Sequence, residues 1–222
     1  MPEDFLIPPG VTVVRHPLIE VKLTQLRDTQ TRAPEFRRRM AEIAALLLFE
    51  ATRALETRPC RVISPLAECD GVALARPIVI APILRAGLGM LEGMMRLLPD
   101  ASVAHIGLRR DEVTHRPHSY YFRAPPNLSG AEVLVVDPML ATGFSATEAV
   151  DQLKKAGARA IQFVGVVSCP QGIEQLTRAH PDVRIFTAVI DPALDQRAYI
   201  VPGLGDAGDR FFGTDAVVTE SR

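Results

Sequence analysis

Residues 133–147 read Val133-Leu134-Val135-Val136-Asp137-Pro138-Met139-Leu140-Ala141-Thr142-Gly143-Phe144-Ser145-Ala146-Thr147. The opening apolar run, rich in β-branched valine, has the pattern of a strand buried on both faces. An acid ends the run, and a short loop with Thr142, Gly143 and Ser145 leads into a helical pattern. Val150, Leu153 and Ala156 share one face of that helix, Lys154 and Lys155 occupy its last turn, and Gly157 stops it. A strand that hands over to a helix in this way makes an anion cradle. The first N–H groups of the helix have no partner inside it, and the Thr and Ser hydroxyls add donors. Gly143 permits a loop conformation or a close approach that a side chain would block, and Asp137 can accept hydrogen bonds from sugar hydroxyls. The same residues also serve as an ordinary helix cap and strand end, so the segment alone leaves both readings open. It contains neither GxxxxGK[ST] nor GxGxxG, which counts against nucleotide-hydrolysing and dinucleotide-binding enzymes.

The text on either side alternates in the same way. Pro77 to Ile83 is another continuous apolar run, Arg85 to Leu98 reads as a helix, and Ser102 to Leu108 is strand-like. Arg109 to Pro126 is polar and aromatic and reads as an excursion from the core. Downstream, Ile161 to Val167 and Val183 to Ile190 are strands flanking a helix from Gln171 to His180. Upstream, Phe36, Met40, Ile43, Leu47, Ala51 and Ala54 recur at helical steps after Pro34, and Thr57-Arg58-Pro59 closes that helix. The Arg37–Arg39 run on it reads as a solvated face or a subunit contact. Residues 1–33 show no strong period and read as an N-terminal arm. Strand–helix alternation predicts an α/β fold with a parallel sheet and helices on both faces. Ligands in such sheets sit beyond the carboxyl ends of the strands.

Length and composition agree. A chain of 222 residues with 47% apolar and 23% charged residues suits one domain spanning 1–222. A net charge of −1 argues against nucleic-acid partners. Cys60, Cys69 and Cys169 form no metal-ligand spacing, and so sparse a count fits a reducing compartment. His115 and His118 flank Arg116 and Pro117 without further ligands nearby and read as surface histidines. Met1 to Gly10 lacks the pattern of a secretory leader, and no stretch approaches the ~20 apolar residues of a membrane span. A cytoplasmic protein is expected.

Four ordered blocks, together reaching from about His16 to Gly213, resemble the uracil phosphoribosyltransferase family. Asp137-Pro138-Met139-Leu140-Ala141-Thr142-Gly143-Phe144-Ser145 is similar to its phosphoribosyl pyrophosphate loop, with the Asp-Pro opening that sets this family apart. Pro82-Ile83-Leu84-Arg85-Ala86-Gly87-Leu88-Gly89-Met90 resembles its pyrophosphate loop. Arg110-Asp111-Glu112 lies where the family has Arg-Asn-Glu, and Tyr199 to Asp209 resembles its uracil-binding segment.

The resemblance implies a type I phosphoribosyltransferase fold with a β-arm at about 109–126 and a small uracil-binding hood at about 191–213. It implies conversion of uracil and phosphoribosyl pyrophosphate to UMP and pyrophosphate, in pyrimidine salvage. Asp137 would hold the ribose hydroxyls, and Thr142, Gly143 and Ser145 the 5′-phosphate, within a loop running from Asp137 to Ser145. Arg85 and Arg110 would bind pyrophosphate, to which the planar guanidinium is suited. Ile200, Gly205 and Ala207 would read uracil through main-chain groups, with Asp206 at the junction of base, ribose and phosphates. Asp137, Asp206 and Arg85 are then the catalytic candidates. Mg²⁺, held mainly through phosphoribosyl pyrophosphate and with no direct protein ligand, is the implied cofactor. A homodimer or tetramer, a GTP effector, and a non-proline cis peptide near Arg85-Ala86 are further implications.

Taken without the family order, Arg85 and Arg110 read equally as surface or ion-paired arginines, and Gly203, Gly205 and Gly208 as turn glycines. Two features depart from the family. Phe144 stands where a second glycine is usual; its side chain is expected to turn away while its N–H faces phosphate. Tyr120-Tyr121-Phe122-Arg123-Ala124-Pro125 is an altered arm. Phe144 sustains a rival reading, a regulatory protein of the same fold that binds nucleotide or RNA without useful catalysis. A third reading, a purine or orotate phosphoribosyltransferase, is disfavoured by the Tyr199 to Asp209 segment.

Overall fold

The computed structural model describes residues 5–110 and 117–214, with Arg110 described in its backbone only. The chain opens with β1 (Val11–Val13), α1 (Pro17–Arg27) and α2 (Ala33–Ala51), followed by β2 (Thr57–Ile63) and β3 (Glu68–Leu74). Next come β4 (Ile78–Leu84), α3 (Leu88–Leu97), β5 (Ser102–Val103), β6 (His105–Arg110) and β7 (Pro117–Arg123). Then follow β8 (Glu132–Val136), β9 (Met139–Leu140), α4 (Phe144–Lys155), β10 (Ala160–Ser168), α5 (Pro170–Ala179) and β11 (Arg184–Ile190). The short β12 (Ala193–Leu194), β13 (Ile200–Val201) and α6 (Ala207–Phe212) complete it.

The central sheet runs β1-β11-β10-β8-β4-β6-β7, with β5 beside β4 and β9 beside β10. Its pairings are parallel except the last, where β7 returns antiparallel along β6. From β4 the chain passes to β6 on one side and later returns to β8 on the other. That change of direction opens a crevice between β4 and β8 at their carboxyl ends.

Continuous apolar strands are explained by the two faces. Ile78 and Ile80, Leu134 and Val136, and Val164 and Val166 pack with α1, α2 and α3. Their neighbours Val79 and Ala81, Val133 and Val135, and Ile161 and Phe163 pack with α4 and α5. Successive residues of a strand point to opposite faces, so a strand covered on both sides has no polar positions. Each large side chain so buried contributes about 1.5–3 kcal/mol. The family-implied architecture, helices on both faces of a mainly parallel sheet, is therefore the architecture observed.

Three segments differ from the sequence reading, and α2 ends at Ala51, short of the Thr57-Arg58-Pro59 stop expected for it. Residues 1–33 are not a featureless arm. β1 pairs with β11, and α1 buries Ile19, Leu23 and Leu26 beneath exposed Leu18 and Val21, which blur its short stripe. Beyond α2, residues 57–74 form an antiparallel hairpin whose two faces are both largely exposed, so no alternation marks it. The helix expected from Arg85 begins only at Leu88. Before it, Gly87 packs so tightly that a Cβ there would lie 2.7 Å from the Ile83 backbone and would also meet the Val136 carbonyl. Among the described residues no helix is long and apolar enough to cross a membrane.

Candidate active site

Three segments enclose a cleft of about 340 Å³ beyond the carboxyl ends of β4 and β8. The first follows β4 and supplies Leu84, Arg85 and Ala86 to the lining. The Leu84–Arg85 peptide is cis, one bond before the expected position. Arg85 reaches across the opening: its Nη2 lies 3.0 Å from Asp209 Oδ1, and its guanidinium sits 5.9 Å from the centre of the Phe212 ring.

The second segment joins β8 to α4. Asp137 leaves the sheet half-buried and accepts a hydrogen bond from the Met139 N–H at 3.3 Å. β9 then clips the loop back onto β10, where Cys169 N–H donates to the Leu140 carbonyl at 3.1 Å and Cys169 Sγ to the Ala141 carbonyl at 2.9 Å. Burial pushes the Cys169 thiol up, so it stays protonated and packs as an apolar group. Gly143 has φ 80°, and a Cβ there would lie 2.6 Å from the Gly172 carbonyl oxygen. Glycine is therefore required twice over, by conformation and by the close approach of α5.

Asp137, Met139, Ala141 and Ser145 line the cleft. Pro138 and Leu140 are buried, and Leu140 belongs to the core under α4 and α5. Thr142 and Gly143 lie outside the lining, at the turn into the helix. Phe144 is 44% exposed and also stands outside the lining. The side chain of Arg110, together with Asp111, Glu112 and His115, falls outside the described residues.

The third segment is a hood after β11. Ile200, Gly205, Asp206 and Ala207 all line the cleft, facing the Asp137 loop. Asp206 caps α6, its Oδ1 accepting from Asp209 N–H at 2.9 Å, while the Tyr199 hydroxyl approaches Oδ2 at 3.5 Å. Two arginines fasten the hood to the N-terminal helix. Arg27 makes a forked pair with buried Asp191 at 2.7 and 2.8 Å, and Asp191 also accepts from Gly203 N–H at 2.9 Å. Arg210 lies over the Phe36 ring and donates to the carbonyls of Leu26, Leu204 and Asp28.

Leu108 also lines the cleft and was not among the sequence candidates, and Arg197, Ala198 and Tyr199 line it from within the expected hood without having been given individual roles. Ala198 has φ 63°, held there by a turn in which Asp195 Oδ1 accepts from the N–H groups of Arg197 and Tyr199, each at 2.8 Å. An alanine carries no sign of a left-handed conformation. Replacing Ala198 by Gly removes the Cβ clash, and after the entropy lost by a freer unfolded chain is counted, a gain of about 0.5 kcal/mol is expected. Thermal unfolding should rise by 1–2 °C, on the order expected for a chain of this size; a fall would show that the Asp195 turn carries no strain at Ala198.

A family model for uracil phosphoribosyltransferase matches residues 13–214. A relative named uracil phosphoribosyltransferase from Brucella anthropi is 52% identical over 206 residues, covering 92% of this chain and 99% of its own. Another of that name, from Dictyoglomus turgidum, is 53% identical over 205 residues, with the same coverage of both chains. Among solved structures, the AQ2163 protein from Aquifex aeolicus superposes with a TM-score of 0.88 at 34% identity, covering 91% of this chain and 97% of that one. Orotate phosphoribosyltransferase from Mycobacterium tuberculosis, in complex with 5-phospho-α-D-ribosyl 1-diphosphate, shares the fold with a TM-score of 0.50 at 14% identity, covering 80% of this chain and 91% of that one. With its Asp137 loop facing a hood built from Ile200 to Gly208, and with relatives matched almost end to end, the chain belongs to the uracil phosphoribosyltransferase family.

Proposed function

We propose that the cleft transfers the phosphoribosyl group of phosphoribosyl pyrophosphate to uracil, releasing UMP and pyrophosphate, through the residues that line it. The observation that carries this reading is the convergence of Arg85, Asp137, Ser145, Ile200, Gly205, Asp206 and Ala207 on one space. Asp137, half-buried at the strand end, accepts hydrogen bonds from the ribose hydroxyls. The backbone N–H groups from Thr142 to Ser145 and the Ser145 hydroxyl receive the 5′-phosphate at the start of α4. The exposed Phe144 side chain supports the reading that it turns to solvent while its N–H faces phosphate. Arg85, joined by Arg110, takes the pyrophosphate.

Uracil lies under the hood, read by main-chain groups of Ile200, Gly205 and Ala207. A ring nitrogen attacks C1 of the ribose as the bond to pyrophosphate oxygen breaks, with positive charge developing on the sugar, and the nitrogen's proton passes to water or to the departing pyrophosphate. No covalent enzyme nucleophile is needed. Holding the two substrates in line supplies roughly 7–11 kcal/mol in favourable cases. Fixed main-chain partners reject cytosine, whose amino group places a donor where an acceptor is wanted.

Mg²⁺ fits this cleft. Asp137 and Asp206 are hard oxygen donors on its wall, while among the described residues no group of three or more His, Cys, Asp or Glu forms a metal cage. An ion held by pyrophosphate oxygens and waters suits that donor set, and it neutralises leaving-group charge. Exposed Tyr120, Tyr121 and Phe122 on β7 support the homo-oligomer that the family likeness implies; α2, by contrast, buries its apolar face within its own subunit. A GTP effector rests on the family likeness alone.

The test is UMP formation from uracil and phosphoribosyl pyrophosphate with Mg²⁺, with EDTA and a panel of bases as controls and GTP as a titrant. Turnover with uracil, lost on chelation and absent with cytosine, hypoxanthine and orotate, is expected. Folded protein without turnover under any of these conditions would favour a binding protein on the same fold.

A further inference from the structure

Asp209 lies outside the cleft lining, yet it touches both sides of the site through different groups. Its carboxylate accepts from Arg85 Nη2 at 3.0 Å, on the segment after β4. Its backbone N–H donates to Asp206 Oδ1 at 2.9 Å, within the hood. The same Oδ1 that meets Arg85 accepts from the Thr214 hydroxyl at 2.7 Å. We propose that Asp209 is a positioning residue for the transfer: its carboxylate holds Arg85 across the cleft mouth in place for pyrophosphate, from a helix whose start Asp206 caps in the hood.

Several observations carry this. The Arg85 side chain is 57% exposed, and a long, exposed side chain ordinarily samples many rotamers. Here it is constrained on two sides, by the Asp209 carboxylate and by the Phe212 ring at 5.9 Å, both carried by α6. The ion pair uses Nη2 alone, which leaves Nη1 and Nε as donors for an anion in the cleft. The Thr214 hydroxyl bond, followed by the Arg85 pairing, holds the Asp209 carboxyl below the usual carboxylate range, although partial burial acts in the opposite sense. Asp209 is therefore an ionised partner throughout neutral pH. The Asp209 N–H that meets Asp206 Oδ1 is main chain and is kept in every variant at 209, so the role of the carboxylate is read on Arg85 alone.

The inference rests on the reading of Arg85 as a pyrophosphate ligand, and the experiment separates the two. Steady-state constants for both substrates are measured in the full-length chain for wild type, Asp209→Ala, Asp209→Asn, Arg85→Gln and the two double variants. Asp209→Ala should raise KM for phosphoribosyl pyrophosphate roughly tenfold, as expected for loss of one charge-assisted hydrogen bond, with KM for uracil changed less than about twofold. Asp209→Asn keeps an acceptor for both Thr214 and Arg85, so it should recover a large part of that loss. In the Arg85→Gln background the Asp209 substitutions should have no further effect on that KM, because the group through which they act is gone.

Equal rises in both KM values, an effect that persists without Arg85, or a fall in KM for phosphoribosyl pyrophosphate would each overturn the proposal. The last result would mark the ion pair as a competitor of pyrophosphate. Should Asp209→Ala not fold, Asp209→Asn against its Arg85→Gln double variant carries the same comparison. If Arg85→Gln alone leaves KM for phosphoribosyl pyrophosphate unchanged, the Arg85 reading itself fails and the proposal falls with it, whatever the Asp209 variants do.

Discussion

Asp137→Asn is expected to lower kcat by roughly 10²–10³-fold, the scale on which removal of one preorganised electrostatic partner acts in enzyme sites. The side chain sits where β8 ends, half-buried on the cleft wall, and Asn preserves its shape. Asn also preserves an oxygen for the Met139 N–H, which now donates to Asp137 Oδ1. On the proposed mechanism, what Asn removes is the negative charge beside the sugar as positive charge develops there. Folding should be almost untouched, with thermal unfolding within ~2 °C of wild type. Steady-state kinetics beside a melting curve makes the check. Unchanged turnover would remove Asp137 from the chemistry, and a large loss of stability would make it a structural residue.

Arg27→Ala has the largest expected effect on stability. Arg27 and Asp191 form a forked ion pair, and the Asp191 side chain is only 5% exposed. Removing the arginine leaves a buried carboxylate with the Gly203 N–H and no cation, a situation that costs about 3–5 kcal/mol. For a chain of this length that lowers the melting temperature by about 10 °C. Because Gly203 follows the Ile200 strand, KM for uracil should rise as well. Arg27→Met with Asp191→Leu should recover most of the stability, since neither residue then leaves a stranded charge. A melting temperature unchanged in Arg27→Ala would show that water replaces the guanidinium without cost.

Legibility in the sequence followed the range over which each signal acts. β4 and β8 were visible because burial on both faces leaves a run of apolar residues with no gap, and α2 because its stripe extends over many turns. The loop after Asp137 was visible because its strand, turn residues and helix lie together in the chain. α1 was missed because three buried residues on one short helix do not make a period. The β2–β3 hairpin was missed because exposed strands need not alternate. Arg27 and Arg210 were invisible for a different reason: their partners lie 164 and 184 residues away, and nothing in the local text of an arginine says which carboxylate or carbonyl it will meet. Ala198 hid a left-handed turn that a glycine would have advertised. The family likeness identified the three described blocks that meet in the cleft, but the clasp that fastens the hood had to be seen in three dimensions.

That clasp joins residues that are made far apart in time. Arg210 binds the Asp28 carbonyl across 182 residues of chain, so α1 is synthesised long before the residue that secures the hood to it. At ordinary ribosomal speeds the interval is on the order of ten to forty seconds. Only near its end, once β11 has been made, can the whole sheet close around the Asp137 loop, and the hood stays unfastened until Arg210 arrives. A nascent chain that has passed β11 but not Arg210 therefore carries the Asp137 loop opposite an unfastened hood.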